Sequence, residues 1–256
     1  MISPLASIHP DARIGENVEI GPFTTISADV EVGAGTWIGP NVTIMDGARI
    51  GAYCRVFPGA VLSAIPQDLK FQGENTTVEI GDRSTIRECV TINRGTKAYG
   101  KTVVGQDCLI MAYVHIAHDC IIGNHVILVN SVALAGNVEI GDYGIVSGLS
   151  AVHQFVKIGA HVMIGGGAMV RKDVPPFITA AGEPLAYAGV NSVGLKRRNF
   201  SQEDINEIQT LYRTLYQSGM NVSQAVNRIK EQYPNRPLAD LILSFIEQSD
   251  RGLIRN

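Results

Sequence analysis

The amino-acid sequence predicts a mainly β protein, a three-sided parallel β-helix of 18 residues per coil followed by a small α-helical domain. Aliphatic residues recur every six positions along two thirds of the chain, glycines recur every eighteen, and helical periodicity replaces this pattern towards the end. Such repeats are typical of solenoids, in which each coil packs on its neighbours. We predict the β-helix over residues 1–174 and the helical domain over residues 175–256.

The six-residue repeat consists of 26 Ile, Val or Leu residues in one phase, from Ile2 to Val170 with two interruptions. A small residue stands four positions after nearly every one of them. An α-helix advances about 600° in six residues, so these side chains would not share a helix face. Short strands separated by corners would place them all inside, with neighbouring coils roughly 4.8 Å apart.

The number of sides follows from glycines that share one phase at a spacing of 18 residues. They are Gly15, Gly33 and Gly51, and then Gly105, Gly123, Gly141 and Gly159. Eighteen residues are three six-residue repeats, so each coil is a triangle. We expect these glycines at one corner because glycine tolerates a positive φ, and we assign them no phosphate-binding role.

The end of the chain predicts three helices that cap the open end of the solenoid. Ser201 followed by Asp204 resembles a helix N-cap, and apolar residues with helical spacing follow it, from Ile205 to Tyr216. Residues 221–233 and 237–249 are predicted to form two more helices.

Composition excludes several classes of protein. The formal net charge of −3 gives no electrostatic footprint for nucleic acid. The first residues lack the features of a signal peptide, and nowhere do 18 apolar residues follow one another. Cys54, Cys108 and Cys120 fall on the small inward position, and we expect buried, unreactive thiols. We therefore expect a cytoplasmic protein that neither binds nucleic acid nor inserts stably into a membrane.

Residues 95–102, GTKAYGKT, match the letters of a nucleotide-binding P-loop. A P-loop must open a helix whose N-terminus holds the phosphates. Val103, Val104 and the corner glycine Gly105 follow instead. We interpret the segment as a surface excursion between coils.

The repeat sorts the corners of the coils into three ridges. The glycine ridge holds the glycines already given. The smooth ridge, formed by residues 111–113, 129–131, 147–149 and 165–167, is uncharged and suits a long apolar ligand. The histidine ridge is formed by residues 117–119, 135–137 and 153–155. We expect His118, Asn137 and His153 to lie within about 10 Å along it.

Three functions fit the histidine ridge. His118 beside Asp119 could act as an oriented general base near neutral pH. His115 and His118 could instead bind zinc together with His125 of a neighbouring subunit, although no HxH or HxxxH spacing favours a metal. A non-catalytic solenoid is the third possibility, but the regular Thr or aromatic ladders of such binding faces are missing from the sequence.

Eight segments resemble the hexapeptide-repeat acyltransferases, a family of left-handed β-helices. They are residues 66–74 (PQDLKFQGE), 86–88 (IRE), 93–96 (NRGT), 114–120 (VHIAHDC), 133–136 (ALAG), 151–155 (AVHQF), 194–198 (GLKRR) and 251–255 (RGLIR). The similarity is strongest to the members that transfer a 3-hydroxyacyl chain from acyl carrier protein to UDP-N-acetylglucosamine, the first step of lipid A biosynthesis. The resemblance implies a left-handed coil, a homotrimer, and no cofactor or metal beyond the phosphopantetheine-linked acyl donor.

The resemblance also implies a role for individual residues. His118 would be the general base, Asp119 its orienting partner, and the Gly136 N–H the donor to the oxyanion. Gly148 and Gly166 would line the acyl-chain groove, with Gly166 leaving room for a long chain. Substrate contacts are implied for Gln67, Asp68, Lys70, His115, Asn137, His153, Gln154, Asn191, Arg197 and Arg198.

Three positions depart from the usual family pattern. Asn93 and Asn137 stand where His is common, and Val193 stands where an acidic residue is common. An asparagine can form hydrogen bonds but carries no charge. A different member of the family, such as a sugar N-acyltransferase or an acetyltransferase, and a zinc hydratase are the alternative functions.

Overall fold

The computed structural model describes residues 1–255, so only the last residue of the predicted helical domain lies outside it. Within the described residues, short strands form three sheets, each the flat face of one prism. The first sheet contains β1 Ser7–Ile8, β4 Thr25–Ile26, β7 Thr43–Ile44, β10 Val61–Ala64, β13 Thr91–Asn93, β16 His115–Ile116, β19 Ala133–Leu134, β22 Ala151–Val152 and β25 Met169–Val170. The second contains β2 Arg13–Ile14, β5 Val30–Val32, β8 Ala48–Ile50, β11 Thr77–Ile80, β14 Lys101–Val104, β17 Ile121–Ile122, β20 Glu139–Ile140 and β23 Lys157–Ile158. The third contains β3 Glu19–Ile20, β6 Trp37–Ile38, β9 Arg55–Val56, β12 Thr85–Ile86, β15 Leu109–Ile110, β18 Ile127–Leu128, β21 Ile145–Val146, β24 Met163–Ile164, β26 Ile178–Ala181 and β27 Ala186–Val190.

The register of the strands confirms the 18-residue coil. Ile116 pairs in parallel with Leu134, and Leu134 pairs with Val152. Two excursions interrupt the register where the six-residue repeat is interrupted. One follows β10 and spans residues 65–76, and the other follows β13 and spans residues 94–100. Both leave the prism at the end of a strand of the first sheet, which is the edge that carries the histidine ridge.

The core is the inside of the prism. The repeating aliphatic residues point inward, and Ile110, Ile116 and Ile122 are at most 1% exposed. The small inward positions are filled by residues such as Cys120, which is also fully buried. Burial raises the pKa of the Cys108 thiol to about 11 and that of the Cys120 thiol to about 12. The prediction of buried, unreactive thiols is confirmed at these positions.

The reason predicted for the corner glycines is wrong. Residues such as Gly105 and Gly123 are not among those with a positive φ. They are required because the next coil approaches too closely, since a Cβ on Gly105 would lie 2.5 Å from the Gly123 carbonyl oxygen. The positive φ falls two residues later on non-glycine residues, such as His125 with φ 55° and Tyr143 with φ 60°. Each of these donates its N–H to a carbonyl of the preceding coil, which offsets the strain.

Four helices follow the coils: α1 Ser192–Arg197, α2 Gln202–Gln217, α3 Val222–Gln232 and α4 Pro237–Glu247. The last three were predicted, and the Ser201–Asp204 capping box confirms where α2 begins. Helix α1 was not predicted, since its six residues are too short for a periodic pattern. The fully buried Tyr212 anchors α2 by donating its hydroxyl to the Pro176 carbonyl at 2.6 Å. Because β26 and β27 continue the third sheet past residue 174, the boundary between the domains stays a prediction.

Aromatic rings stack along the glycine ridge. The ring centres of His125 and Tyr143 are 4.6 Å apart, those of Tyr143 and His161 4.9 Å, and those of His161 and Phe177 5.6 Å. The Arg198 guanidinium lies over Tyr143, 5.2 Å from its ring centre. Burial, together with this nearby positive charge, lowers the pKa of His161 to about 4. The segment after α1 is thus fixed to the β-helix by ring packing around a neutral imidazole.

We expect acid to destabilise this packing. His161 takes up a proton near pH 6.5 when unfolded but only near pH 4 when folded, so the native state loses stability as the pH falls from about 6.5 to about 4. His161→Phe keeps the stack and removes the proton site. Between pH 7 and pH 5 it should lose less stability than the wild type, by about 1–2 kcal/mol. Urea unfolding at both pH values measures this, with His125→Phe, at the exposed end of the stack, as control. Equal losses in His161→Phe and wild type would contradict the assignment.

Candidate active site

His118 and Asp119 form a hydrogen-bonded pair at the corner that follows β16. The His118 Nδ1 lies 2.8 Å from the Asp119 Oδ2. The Asp119 side chain is fully buried, whereas the His118 side chain remains 17% exposed. The buried carboxylate therefore fixes the orientation of an imidazole that solvent or a substrate can reach, which is the arrangement of an oriented general base.

The carboxylate of Asp119 is surrounded by donors. The Thr96 N–H and the Thr96 hydroxyl donate to it at 2.9 and 2.6 Å, and the Tyr99 N–H donates at 3.3 Å. The two main-chain N–H groups need an acceptor, so the Asp119 carboxylate accepts from them, and the contact with the His118 Nδ1 is favourable when that nitrogen carries a proton. In a neutral imidazole this arrangement favours the tautomer with the proton on Nδ1, in which the Nε2 lone pair can accept a proton.

The donors to Asp119 come from the segment that matches a P-loop. Its residues turn at 97–99 and continue directly into β14, so no helix follows, as expected. The segment is the predicted excursion between coils, but it also has a task that the sequence did not reveal. It encloses the carboxylate that orients His118.

Gly136 lies directly beneath the His118 ring. A Cβ at this position would lie 2.6 Å from the His118 Cε1 and 2.7 Å from Nε2. Only glycine therefore allows the imidazole to occupy its place. In the described part of the chain no acceptor pairs with the Gly136 N–H, which keeps this donor available beside the Nε2 of His118.

The predicted stacking along the histidine ridge is confirmed. The Asn137 N–H donates to the His118 carbonyl at 3.0 Å, and the Phe155 N–H donates to the Gly136 carbonyl at 3.2 Å. His153 and Gln154 lie on the same coil as Phe155 and are exposed. His118, Asn137 and His153 thus occupy three successive coils on one edge.

His115 lies on β16, two residues before the ridge. Its Nδ1 is 2.7 Å from the Thr91 hydroxyl of the neighbouring strand. Burial lowers the pKa of His115, so the ring is neutral near pH 7. A neutral imidazole held by its Nδ1 has Nε2 left for a second polar partner.

The excursion over residues 65–76 carries Gln67, Asp68 and Lys70 on the same edge of the prism. Gln67 and Lys70 are exposed, and the Lys70 N–H donates to the Asp68 carboxylate at 3.0 Å. Asn93 ties the start of this excursion to the next one by donating to the Ile65 carbonyl at 3.1 Å. Asn93 is only 3% exposed, so in this chain it joins the two loops.

The other predicted residues lie on different ridges of the chain. Asn191 caps α1 by accepting from the Gly194 N–H and also donates to the His161 carbonyl, both on the side of the glycine ridge. Arg198 donates to the Tyr143 carbonyl on that ridge, and the neighbouring Arg197 is exposed. Val193, a departure from the family pattern, is 63% exposed on the same helix.

Gly148 and Gly166 lie together on the smooth ridge. The Gly167 N–H donates to the Gly148 carbonyl, which places the two corners on successive coils. A Cβ on Gly166 would meet nothing closer than that carbonyl oxygen, at 3.5 Å, so the surface is open there. One chain therefore brings the predicted catalytic residues together but leaves the groove residues and α1 on other edges.

The zinc alternative finds no preformed site in one chain. Within residues 1–255, His, Cys, Asp and Glu side chains nowhere gather in threes as metal ligands. His125 stacks on Tyr143 on the glycine ridge, away from the ridge of His118.

In the same described range, none of the helices is long and apolar enough to cross a membrane.

Sequence reasoning missed the residues that hold the predicted ones in place. Thr96 and Tyr99 position Asp119, Thr91 positions His115, and Arg251 contacts His153. Thr91 could have been found, because the pairing of β13 with β16 puts it opposite His115. The others lie in segments outside the repeat, where spacing predicts no neighbours.

Models of two families match the chain. Residues 29–64 and 101–136 match the bacterial transferase hexapeptide (six repeats), and residues 173–254 match the second domain of UDP N-acetylglucosamine O-acyltransferase. The repeat match and the similar structures described next confirm the predicted left-handed β-helix with a helical C-terminal region.

Whole proteins are also similar. The chain is 51% identical over 260 residues to the acyl-[acyl-carrier-protein]–UDP-N-acetylglucosamine O-acyltransferase of Janthinobacterium sp. (strain Marseille), covering 100% of this chain and 99% of the relative. The same identity over 256 residues, with the same coverage, is found for the enzyme of that name from Pseudomonas syringae pv. syringae (strain B728a). The crystal structure of a UDP-N-acetylglucosamine acyltransferase from Bacteroides fragilis superimposes with a TM-score of 0.98 at 52% identity, covering 100% of both chains.

The enclosure of Asp119 leads to a prediction. Asp119→Asn places an amide NH₂ among donors, so the free energy of unfolding should fall by about 1.5–3 kcal/mol. Hydrogen exchange at the Thr96 and Tyr99 amides should become faster, which mass spectrometry of the 94–100 segment can measure. Asp107→Asn is the control, because it removes only surface ion-pair contacts, with Arg83 and, at 4.0 Å, with His125. Unchanged exchange in the 94–100 segment would show that Asp119 does not hold it.

Proposed function

The chain belongs to the UDP-N-acetylglucosamine O-acyltransferase family, and on this premise we propose that it transfers a 3-hydroxyacyl chain from acyl carrier protein to the 3-hydroxyl of UDP-N-acetylglucosamine. This reaction is the first step of lipid A biosynthesis. The observation that supports a catalytic site is the His118–Asp119 pair held over Gly136 on an exposed edge of the prism.

The proposed chemistry assigns one task to each of these groups. The Nε2 of His118 takes the proton of the sugar hydroxyl as its oxygen attacks the thioester carbonyl carbon. Asp119 keeps the imidazole in the required tautomer and stabilises the imidazolium that forms. The Gly136 N–H donates to the carbonyl oxygen as it becomes an oxyanion. When the C–S bond breaks, the imidazolium returns its proton to the pantetheine thiolate.

Substrate binding is assigned to polar residues around this pair. Asn137, His153 and Gln154 lie on the histidine ridge, and His115 lies beside it on β16. They could exchange hydrogen bonds with a sugar hydroxyl or donate them to a phosphate. Gln67, Asp68 and Lys70 project from the adjacent excursion. The ammonium of Lys70 suits an anionic phosphate.

A homotrimer is part of the proposal. Five of the predicted site residues lie on the other two ridges of the same chain, away from the histidine ridge: Gly148, Gly166, Asn191, Arg197 and Arg198. A substrate that contacts both these residues and the histidine ridge must therefore lie between neighbouring chains. Three-sided prisms packed around a threefold axis would bring one chain's histidine ridge against another chain's smooth ridge and α1.

The decisive experiment is incubation with UDP-N-acetylglucosamine and 3-hydroxyacyl carrier proteins of several chain lengths, followed by mass spectrometry of the product. The mass of the sugar nucleotide is expected to increase by one acyl group.

His118→Ala should reduce turnover by about 10²–10⁴-fold while the protein remains folded and trimeric, because general-base catalysis is worth about that much. His9→Ala, an exposed histidine of the first coil, is the matched control. Wild-type turnover by His118→Ala would refute its role, and absence of product with every donor would refute the function.

The open surface at Gly166 predicts the acyl preference. Gly166→Met fills the space beside Gly148 without a clash with the main chain, so the preferred donor should become shorter by several carbons. The same panel of carrier proteins gives the chain-length profile. Pro40→Met changes a residue at the same corner position in the N-terminal coils and should leave the profile unaltered. An unaltered profile in Gly166→Met would place the end of the acyl chain elsewhere.

A further inference from the structure

The C-terminal tail returns from α4 to the last coils of the β-helix. The fully buried Asp173 holds it there, accepting from the Ser249 hydroxyl at 2.6 Å and from the Arg251 N–H at 3.2 Å. The main chain of Asp173 also pairs with the tail, because its N–H donates to Gly252 and its carbonyl accepts from Ile254. The position of residue 251 is therefore fixed by the backbone and by Asp173, independently of its own side chain.

The Arg251 side chain lies on the histidine ridge. Its Nη2 donates to the Gln154 carbonyl at 2.8 Å, and its Nε lies 3.2 Å from the same oxygen. The same Nη2 is 3.0 Å from the Nδ1 of His153. The guanidinium also lies 5.9 Å from the ring centre of Phe155. One arginine thus contacts all three residues of this corner, although it is about a hundred positions away in the sequence.

These contacts determine the tautomer of His153. A guanidinium has five N–H donors and no acceptor, so its contact with Nδ1 is favourable only when Nδ1 carries no proton. The Nδ1 is also 3.1 Å from the Gln154 carbonyl oxygen, but both lone pairs of that oxygen already accept from Arg251, one from Nε–H and one from Nη2–H. The proton of a neutral His153 is therefore on Nε2, and the ring presents an N–H donor in addition to the nearby positive charge.

From this geometry we infer that Arg251 is a positioning residue, which holds His153 as an Nε2–H donor to an acceptor oxygen of the substrate. The inference rests on the proposed function in one respect, that His153 contacts a substrate. Sugar nucleotide and pantetheine donor both carry phosphate oxygens, which are acceptors only and are matched by such a donor. The tail thereby links the helical domain to the chemistry of the β-helix.

Kinetics test the role in binding. Arg251→Ala should raise the KM of one of the two substrates about tenfold and change kcat by less than about threefold, because the His118–Asp119 pair is untouched. Arg251→Lys should recover part of the loss, since one N–H donor is restored. Arg255→Ala, in the same tail, is the control, because Arg255 is held through its backbone carbonyl. A fall in kcat with unchanged KM values would overturn the inference.

A double-mutant cycle separates positioning from direct binding. If Arg251 acts through His153, the double variant Arg251→Ala with His153→Gln should be no worse than His153→Gln alone. If the two effects on kcat/KM multiply, Arg251 contacts the substrate itself and the positioning role is wrong. Circular dichroism of each variant checks that the tail has not unfolded the domain.

The tautomer can be measured without any reaction. In protein labelled with ¹⁵N-histidine, the His153 signals, assigned by their loss in His153→Gln, should show an Nε2–H tautomer in the wild type. In Arg251→Ala they should shift towards a mixture of both tautomers, while Arg255→Ala stays like the wild type. The same tautomer in Arg251→Ala would overturn the inference. An inactive wild type that still shows the shift would refute the proposed function and leave the positioning role intact.

Discussion

Main-chain hydrogen bonds hold residues eighteen apart in register on successive coils, and the places of the side chains on the three ridges depend on this register. Because Ile116, Leu134 and Val152 stack on one another, the corners that follow them also stack, and His118, Asn137 and His153 share an edge. A shift by one repeat would move this chemistry to another ridge. The close approach of coils at the corner glycines helps to keep that register, since a larger residue would force the coils apart.

The repeat made most of the fold predictable, because each lattice position has the same neighbours one coil above and below. It predicted the prism, the inward thiols and the histidine ridge. Outside the repeat this logic gives no neighbours, so the enclosure of Asp119 by Thr96 and the return of Arg251 could not be inferred from spacing. The corner glycines were located correctly for the wrong reason, since distance between coils and not backbone dihedral requires them.

The predicted site residues are divided among three edges of the prism. His118 and Asp119, which would move the proton, lie together on one chain. The hydrogen bonds that hold them come from the same chain and need no second subunit. The glycines of the smooth ridge and the arginines of α1 lie elsewhere. This division separates two requirements. The catalytic pair needs rigidity, which the stacked coils of a single chain supply. A long substrate needs a wider groove than one thin prism can form.

The left-handed conformation at the third residue of each corner has a broader consequence. Residues as different as Tyr143, His125, Asp107, Leu149 and Cys89 occupy it here, and the N–H of each donates to a main-chain carbonyl of the coil before. The scaffold thus tolerates chemical diversity at sites repeated at intervals of roughly 4.8 Å. New recognition properties can evolve or be engineered there by exchanging exposed corner side chains one at a time, without changing the packing of the hydrophobic interior.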